Sequence, residues 1–225
     1  MNEGSRVGNY QLLNLIAQGG MAEVWRAKKL GVSGFEKIVA IKFIREEILS
    51  NEDFVNMFIN EAKLSAQLSH QNIIQIFELD KYKNNFYIVM EYLFGKNLKE
   101  LLTKFKFVAR YFPIELAVYI IRGIALALEY AHRKNDQFGN PLNLVHLDIS
   151  PHNILVSFEG EIKLTDFGIA KAASLLSTGQ DNVLKGKFSY MSPEQTFGKD
   201  IDSSSDLFSL GIVFYELVTG EKLFT

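Results

Sequence analysis

Cysteine is absent from the 225 residues, which excludes disulfides, thiolate zinc sites and a thiol nucleophile together. Such a composition suits a reducing compartment, and a cytoplasmic location is the expectation. No charge of one sign prevails either. The 24 Lys and Arg stand against 26 Asp and Glu, a net charge of −2, so there is no electrostatic footprint for nucleic acid or an anionic membrane. Long apolar runs are missing as well. The N-terminal MNEGSRVGNYQ is polar and lacks a signal core. The most apolar stretch, 114–131, is broken by Glu115, Arg122 and Glu129, so no membrane segment is expected. Internal repeats and low-complexity tracts are also lacking.

What remains is the balance of a globular chain, 48% hydrophobic and 22% charged, which excludes intrinsic disorder. The length allows one or two domains and a sizeable core. The pattern changes near residue 94. Before it, β-rich runs at 10–16, 22–28, 37–44, 73–79 and 86–92 predict strands. One helix interrupts them, with Phe54, Met57, Glu61, Leu64 and Leu68 recurring at spacings of three and four. After residue 94 a helix opens at Pro113 and carries the stripe Ala117, Ile121, Ile124, Leu128 and Ala131. Another covers about 205–218, with Leu207, Leu210, Phe214 and Leu217 as its apolar positions. Short strands at 153–157 and 161–165 meet at a Glu159-Gly160 turn. The expected class is α+β: a small β-rich lobe over 1–93, then a mostly helical lobe over 94–225.

Polar groups in apolar positions mark candidate sites. Glu61 sits within its helix stripe, where a buried carboxylate needs a cation. In the strand KIVAIKFI, Lys42 shares a face with Ile38, Ala40 and Ile44 and points inward. An ion pair between the two is preferred over independent snorkelling to solvent. Asp206 shares a face with Leu210, Val213 and Leu217, yet lies among Ser203, Ser204 and Ser205. It reads equally as a buried acceptor of backbone N–H groups and as an N-cap.

Other signals are local. Gln18-Gly19-Gly20-Met21-Ala22 lies between strands, as a hairpin turn or a loop that brings N–H groups against phosphates. Asp148, Asn153 and Asp166 each stand beside a strand terminus, offering oxygen ligands for Mg²⁺ and a proton acceptor. Any one of them alone reads as a turn-forming Asx residue. Among the histidines, His70 reads as a turn residue, His146 as packing, His132 as a partner for the last helix carbonyls, and His152 as a surface position. Trp25 reads as packing.

Taken in order, AQGGMAEV, VAIK, the helix glutamate, VMEYLFG, HLDISPHN, DFG, YMSPEQ and SDLFSLG resemble the motif set of eukaryotic-type protein kinases. The match runs from about residue 10 to the C-terminus, and its wording is most like that of bacterial serine/threonine kinases. The resemblance implies a bilobal fold with one active site at a cleft near residue 94. It also implies transfer of the ATP γ-phosphoryl group to serine or threonine of a protein substrate. Gly19 and Gly20 would cover the phosphates, and Lys42, oriented by Glu61, would hold the α- and β-phosphates. Met90 would be the gatekeeper, the backbone at Glu91 and Leu93 would read adenine, and Val24 and Ala40 would pack on the ring. Asp148 would orient and deprotonate the acceptor hydroxyl, while Asn153 and Asp166 would coordinate Mg²⁺. Asp206 would anchor the catalytic loop from beneath, which favours its buried reading.

Four departures from the family pattern stand out. Ala17 and Ala22 occupy the usual first and third loop glycines, with less freedom at positive φ. Leu147 replaces the arginine that normally binds a phosphorylated activation loop, so charge on Ser174, Ser177 or Thr178 lacks its main partner. Ser150 stands where serine/threonine enzymes place a lysine, and Lys187 where they place a threonine. The expectation is a swap in space, with Lys187 supplying positive charge near the phosphoryl group and Ser150 the hydroxyl; the alternative is a solvated Lys187 and an impaired site. Finally, the chain stops at Thr225, where family members continue through helices, one of which carries an arginine for Glu194. A C-terminally truncated lobe with an exposed apolar face is therefore expected. Two other functions compete, a nucleotide-binding pseudokinase scaffold and a small-molecule phosphotransferase of the aminoglycoside type. Retention of Lys42, Glu61, Asp148, Asn153 and Asp166 argues against the first, and DFG with YMSPEQ against the second.

Overall fold

Strand alternation builds the first unit of the computed structural model, which describes residues 1–108, 111–167, 188–198 and 200–224. The chain divides into two compact units, Met1–Gln67 with Gln75–Tyr92, and Leu68–Ile74 with Leu93–Thr225. The short segment 68–74 thus belongs to the second unit, although it lies within the expected first lobe. No helix among the described residues is long and apolar enough to cross a membrane.

In the first unit, β1 (Arg6–Val7), β2 (Tyr10–Gln18), β3 (Ala22–Leu30), β4 (Glu36–Ile44), β5 (Ile76–Tyr82) and β6 (Asn85–Glu91) form an antiparallel sheet in the order β1-β2-β3-β4-β6-β5. Central β4 is buried on both sides from Val39 to Ile44. Val39, Ile41 and Phe43 join Leu12, Trp25 and Tyr87 in one apolar cluster. The opposite face, ending in Ile44, packs with Ile88 on Phe58 and Ala62 of helix α1 (Glu52–Ser65). Asn51 caps α1 by accepting the Asp53 and Phe54 N–H groups. The Tyr10 and Tyr87 hydroxyls donate to Glu78 and Asp80 at 2.7 and 3.3 Å.

Two helix and strand expectations shift here. The buried face of α1 is Phe58, Glu61, Ala62 and Ser65, while Leu64 is partly exposed. Leu68 lies beyond the helix and enters the core of the second unit. The run at 73–79 splits: β5 begins only at Ile76, and Ile73 instead bridges Leu164.

The second unit packs α3 (Ile114–His132) on α5 (Ser203–Thr219) and on a small sheet of β7 (Gly95–Asn97), β8 (Ile154–Ser157) and β9 (Ile162–Leu164). Helix α2 (Leu98–Phe107) follows β7 directly, its Asn97 cap accepting the Glu100 N–H at 2.9 Å. A one-turn helix α4 (Pro193–Phe197) begins with a Ser192–Gln195 capping box. The core comprises Ala117, Ile120, Ile124, Leu128 and Ala131 of α3 with Leu210, Val213 and Leu217 of α5. Predicted Ile121 is only half-buried and Leu207 is exposed, so each stripe is rotated slightly from the expected one. Gly95 is required by packing, because a Cβ there would stand 2.0 Å from the Val156 carbonyl oxygen.

Candidate active site

In the first unit, strand pairing gathers the nucleotide-binding candidates on one face. Directly opposed residues of antiparallel strands project to the same side. Val24 opposes Lys42, Lys42 opposes Ile88, and Ala40 opposes Met90. Val24, Ala40, Lys42 and Met90 therefore share the α1-facing side of the sheet. There the Lys42 ammonium meets Glu61 Oε1 at 3.0 Å, both residues being 6% exposed. The two misplaced charges of the sequence are thus one buried ion pair, which requires mutual neutralisation in that low-dielectric setting.

The turn between β2 and β3 is closed by the Gly19 N–H donating to Ala22 O at 2.9 Å. Neither Gly19 nor Gly20 has a positive φ, and a Cβ at either would meet nothing closer than 3.6 Å. Turn geometry does not demand these glycines; with the Gly19 N–H used in the turn, their bareness leaves the Gly20 N–H approachable. Ala17 and Ala22 likewise lie outside the positive-φ region, so the missing glycines cost no backbone strain. The loop is clipped by Arg45, a residue the sequence pattern did not single out. Its guanidinium donates to Gly19 O at 3.3 Å and its N–H to Met21 O at 3.1 Å. At the end of β6, the Glu91 N–H is spent on Gln75 O at 2.9 Å. That N–H is therefore already satisfied within the first unit, beside β6.

In the second unit, the segment 146–153 hangs from one carboxylate. Asp206 is fully buried and accepts the His146 and Leu147 N–H groups at 2.8 Å each. His132 Nε2 lies 2.8 Å from the same carboxylate, so this histidine serves Asp206 and not the last carbonyls of α3. The helix cap is Asp202, whose side chain accepts the Ser204 N–H at 2.8 Å. Leu147 adopts φ +64°, a region costly for a leucine. The two anchored N–H groups and the Leu147 carbonyl, which accepts Gln195 Nε2 at 3.0 Å, hold it there. His146 does more than pack. Its Nδ1 accepts the Asp148 N–H at 3.2 Å, so Nε2 carries the proton and donates to Thr165 O at 3.0 Å.

Asp148 and Asn153 come together directly. The Asn153 amide donates to Asp148 Oδ2 at 3.0 Å and to its carbonyl at 2.8 Å. The Thr165 N–H donates to Asn153 O at 3.0 Å, tying the residue before Asp166 to the same loop. Asp166 has φ +63°, and Phe167 after it packs on the His146 ring at 4.6 Å. Ser150 is 3% exposed, and its hydroxyl has no partner among the described residues. Lys187, Gly168, Ser174, Ser177 and Thr178 lie outside the described residues. With Asn153 Nδ2 spent on Asp148, its amide oxygen and the Asp166 carboxylate are hard donors of the kind Mg²⁺ takes alongside substrate phosphates. No cluster of three or more His, Asp or Glu capable of holding a metal alone occurs among the described residues.

Two further carboxylates of the second unit find partners within it. The Glu194 carboxylate accepts the Ser205 hydroxyl, which together with its backbone bonds holds its pKa below the usual carboxylate value. Buried Glu216 accepts the Tyr190 hydroxyl and pairs with Lys99 at 3.3 Å. Burial, then the bond to Glu216, pushes the Tyr190 phenol far up. The Ser192–Gln195 spacing was a readable capping signal for α4, but nothing in it announced the bond to Leu147.

The protein kinase domain family model matches residues 10–225. The chain is 43% identical over 218 residues to the tyrosine-protein kinase MasK of Myxococcus xanthus, covering 97% of this chain and 34% of that protein. It is 39% identical over 218 residues to the serine/threonine-protein kinase PrkC of Bacillus subtilis, covering 96% and 31%. The crystal structure of the Mycobacterium tuberculosis PknI kinase domain superposes with TM-score 0.72 at 24% identity, over 99% of this chain and 79% of that one. The chain belongs to the protein kinase family, with the α+β fold of a β-sheet lobe and a helical lobe. It spans about a third of the length of the curated relatives it matches. ATP and a divalent metal ion are what this family uses.

Proposed function

We propose that the chain transfers the γ-phosphoryl group of ATP to serine or threonine hydroxyls of protein substrates. The observation that carries this reading is the Asp148 carboxylate, oriented by Asn153 at 3.0 Å on a loop hung from buried Asp206. Asp148 orients the acceptor hydroxyl and takes its proton as the new oxygen–phosphorus bond forms and the bridge to the β-phosphate breaks. ADP leaves with the bridging oxygen. Lys42, held by Glu61, neutralises the α- and β-phosphates, and the Gly19–Gly20 backbone covers them. Val24, Ala40 and Met90 form the apolar surface for adenine, read by Leu93 and the Glu91 carbonyl. Asn153 and Asp166 would hold Mg²⁺, which when bound offsets the charge on the phosphate oxygens. Buried Ser150, whose hydroxyl has no partner among the described residues, supports the exchange in which Lys187 supplies the cation beside the transferred group.

A tyrosine acceptor is the second reading, favoured by Ser150 in place of lysine and by the name of the Myxococcus relative. Incubation with labelled ATP, Mg²⁺ and a generic basic protein, followed by phosphoamino-acid analysis, decides between them. Phosphoserine and phosphothreonine that vanish with Asp148→Asn are expected; phosphotyrosine alone selects the second reading. ATP binding without turnover would leave a pseudokinase, and labelling of an aminoglycoside instead would overturn the protein substrate.

A further inference from the structure

The net charge of −2 hides a local segregation of charge. Residues 101–114 read LLTKFKFVARYFPI, with four aromatic residues, three cations and no Asp or Glu. Cations interleaved with aromatics make a surface that meets anions and apolar matter together. None of the roles assigned above uses this segment.

Helix α2 decides which of these side chains are available. Leu98, Leu102 and Phe105 recur at spacings of four and three and face the core of the second unit. At about 100° per residue, Phe107 points away from that stripe, with Lys104 and Lys106 on either side of it. Its side chain is accordingly 90% exposed. Past the helix, Phe112 turns inward and packs on Phe105 with ring centroids 4.9 Å apart, whereas Tyr111 is 86% exposed. The inner ring pair thus fixes a base from which Phe107 and Tyr111 project.

The charges beside these rings are free to meet a partner. Among the described residues no carboxylate pairs with Lys104 or Lys106. Glu100 is taken by Lys96 at 2.7 Å, and Glu115 sits in the first turn of α3, where the helix N-terminus favours it. Side chains so exposed stand out from the surface rather than line a groove, so they suit no small ligand. A rigid protein partner would need a matching pocket for each ring. The headgroup layer of a bilayer accepts Phe and Tyr without one, and its anionic lipids take the ammonium groups on the same side.

We propose that the C-terminal end of α2, together with Tyr111, docks on an anionic phospholipid surface. The Phe107 and Tyr111 rings enter the boundary between headgroups and acyl chains, and Lys104 and Lys106 extend to the lipid phosphates. The chain lies on the bilayer there and does not span it.

The test is co-sedimentation of the chain with vesicles of phosphatidylcholine alone and of phosphatidylcholine mixed with phosphatidylglycerol. Binding to the mixed vesicles that falls as salt rises is expected, with little binding to phosphatidylcholine alone. Joint replacement of Lys104→Gln and Lys106→Gln should weaken it about thirtyfold, at about fivefold per lysine. Joint replacement of Phe107→Ser and Tyr111→Ser should weaken it about tenfold or more. All four positions are exposed, so both double variants keep the fold and each tests the surface by itself. Absence of binding to the mixed vesicles, equal binding to phosphatidylcholine alone, or unchanged binding of either double variant overturns the assignment. Capture by polyglutamate in preference to vesicles marks an acidic protein partner and overturns it as well. The readout needs no ATP, so it stands or falls apart from the kinase reading.

Discussion

Replacing Asp206 with alanine tests whether the catalytic loop hangs from a single buried carboxylate. The substitution strands the His146 and Leu147 N–H groups, which donate to it at 2.8 Å in a fully buried setting. Each orphaned donor costs about 1–3 kcal/mol, for a gross loss of about 2–6 kcal/mol. One term opposes this. Leu147 is held at φ +64°, and its release returns about 1–2 kcal/mol of backbone strain. The net expectation is a loss of about 3 kcal/mol, or on the order of 10 °C in melting temperature. Asp206→Asn should fall between wild type and alanine, because its amide keeps one acceptor but turns a donor toward a donor. Urea unfolding followed by circular dichroism measures the loss, with turnover assayed at a temperature where the variant remains folded. A loss below about 1 kcal/mol for Asp206→Ala refutes the anchoring argument. So does full turnover, since the backbone of Leu147 precedes Asp148 directly.

Five other expectations follow. Lys42→Met leaves Glu61 buried without its cation and should cost about 3 kcal/mol, read by thermal unfolding, besides abolishing turnover. Arg45→Ala removes the clip on Gly19 O and should raise the KM for ATP about two- to threefold with kcat kept, since an exposed bond is worth little. Lys187→Ala should slow phosphoryl transfer by well over tenfold, or about 1.4 kcal/mol; an unchanged single-turnover rate removes the exchange with Ser150. Triple alanine replacement of Ser174, Ser177 and Thr178 should leave activity largely intact, because Leu147 offers a phosphate no cation. In alkaline solution, burial and then Asp80 raise the Tyr87 pKa to about 12, whereas the unfolded phenol titrates near 10. The raised value stabilises the fold below pH 10, and pH-dependent melting should show that contribution fading between pH 10 and about 12.

The inward face of β4 was legible because alternation needs only the chain itself. Lys42 and Glu61 stood out as charges where a period of two and a period of three or four demanded apolar residues. Their meeting at 3.0 Å follows from packing α1 on that face. Where two units drew on one stretch of chain, the pattern misled. The apolar run at 73–79 looks like one strand, yet Ile73 pairs with β9 and only the residues from Ile76 pair with β6. Helix α2 went unread, as did β1 and β7, elements of two and three residues too short to show a period. Asp206 shows the same limit, since its neighbours allow both a cap and a core acceptor. Only the loop brought to it from 146–147 decides between them.

The sequence by itself determined the chemistry available. The motifs with their order and spacing, the two charges set against the hydrophobic pattern, and the departures at Ala17, Ala22, Leu147, Ser150 and Lys187 are all local facts. Tertiary structure decided which groups satisfy one another. Asp206 holds the N–H groups of residues some sixty positions away and takes His132 besides. Arg45 clips a glycine twenty-six residues earlier. The rings of His70 and Tyr130, sixty residues apart, stack with centroids at 5.1 Å. A buried polar group must find a partner, and that partner is chosen by the fold in three dimensions rather than by proximity along the chain.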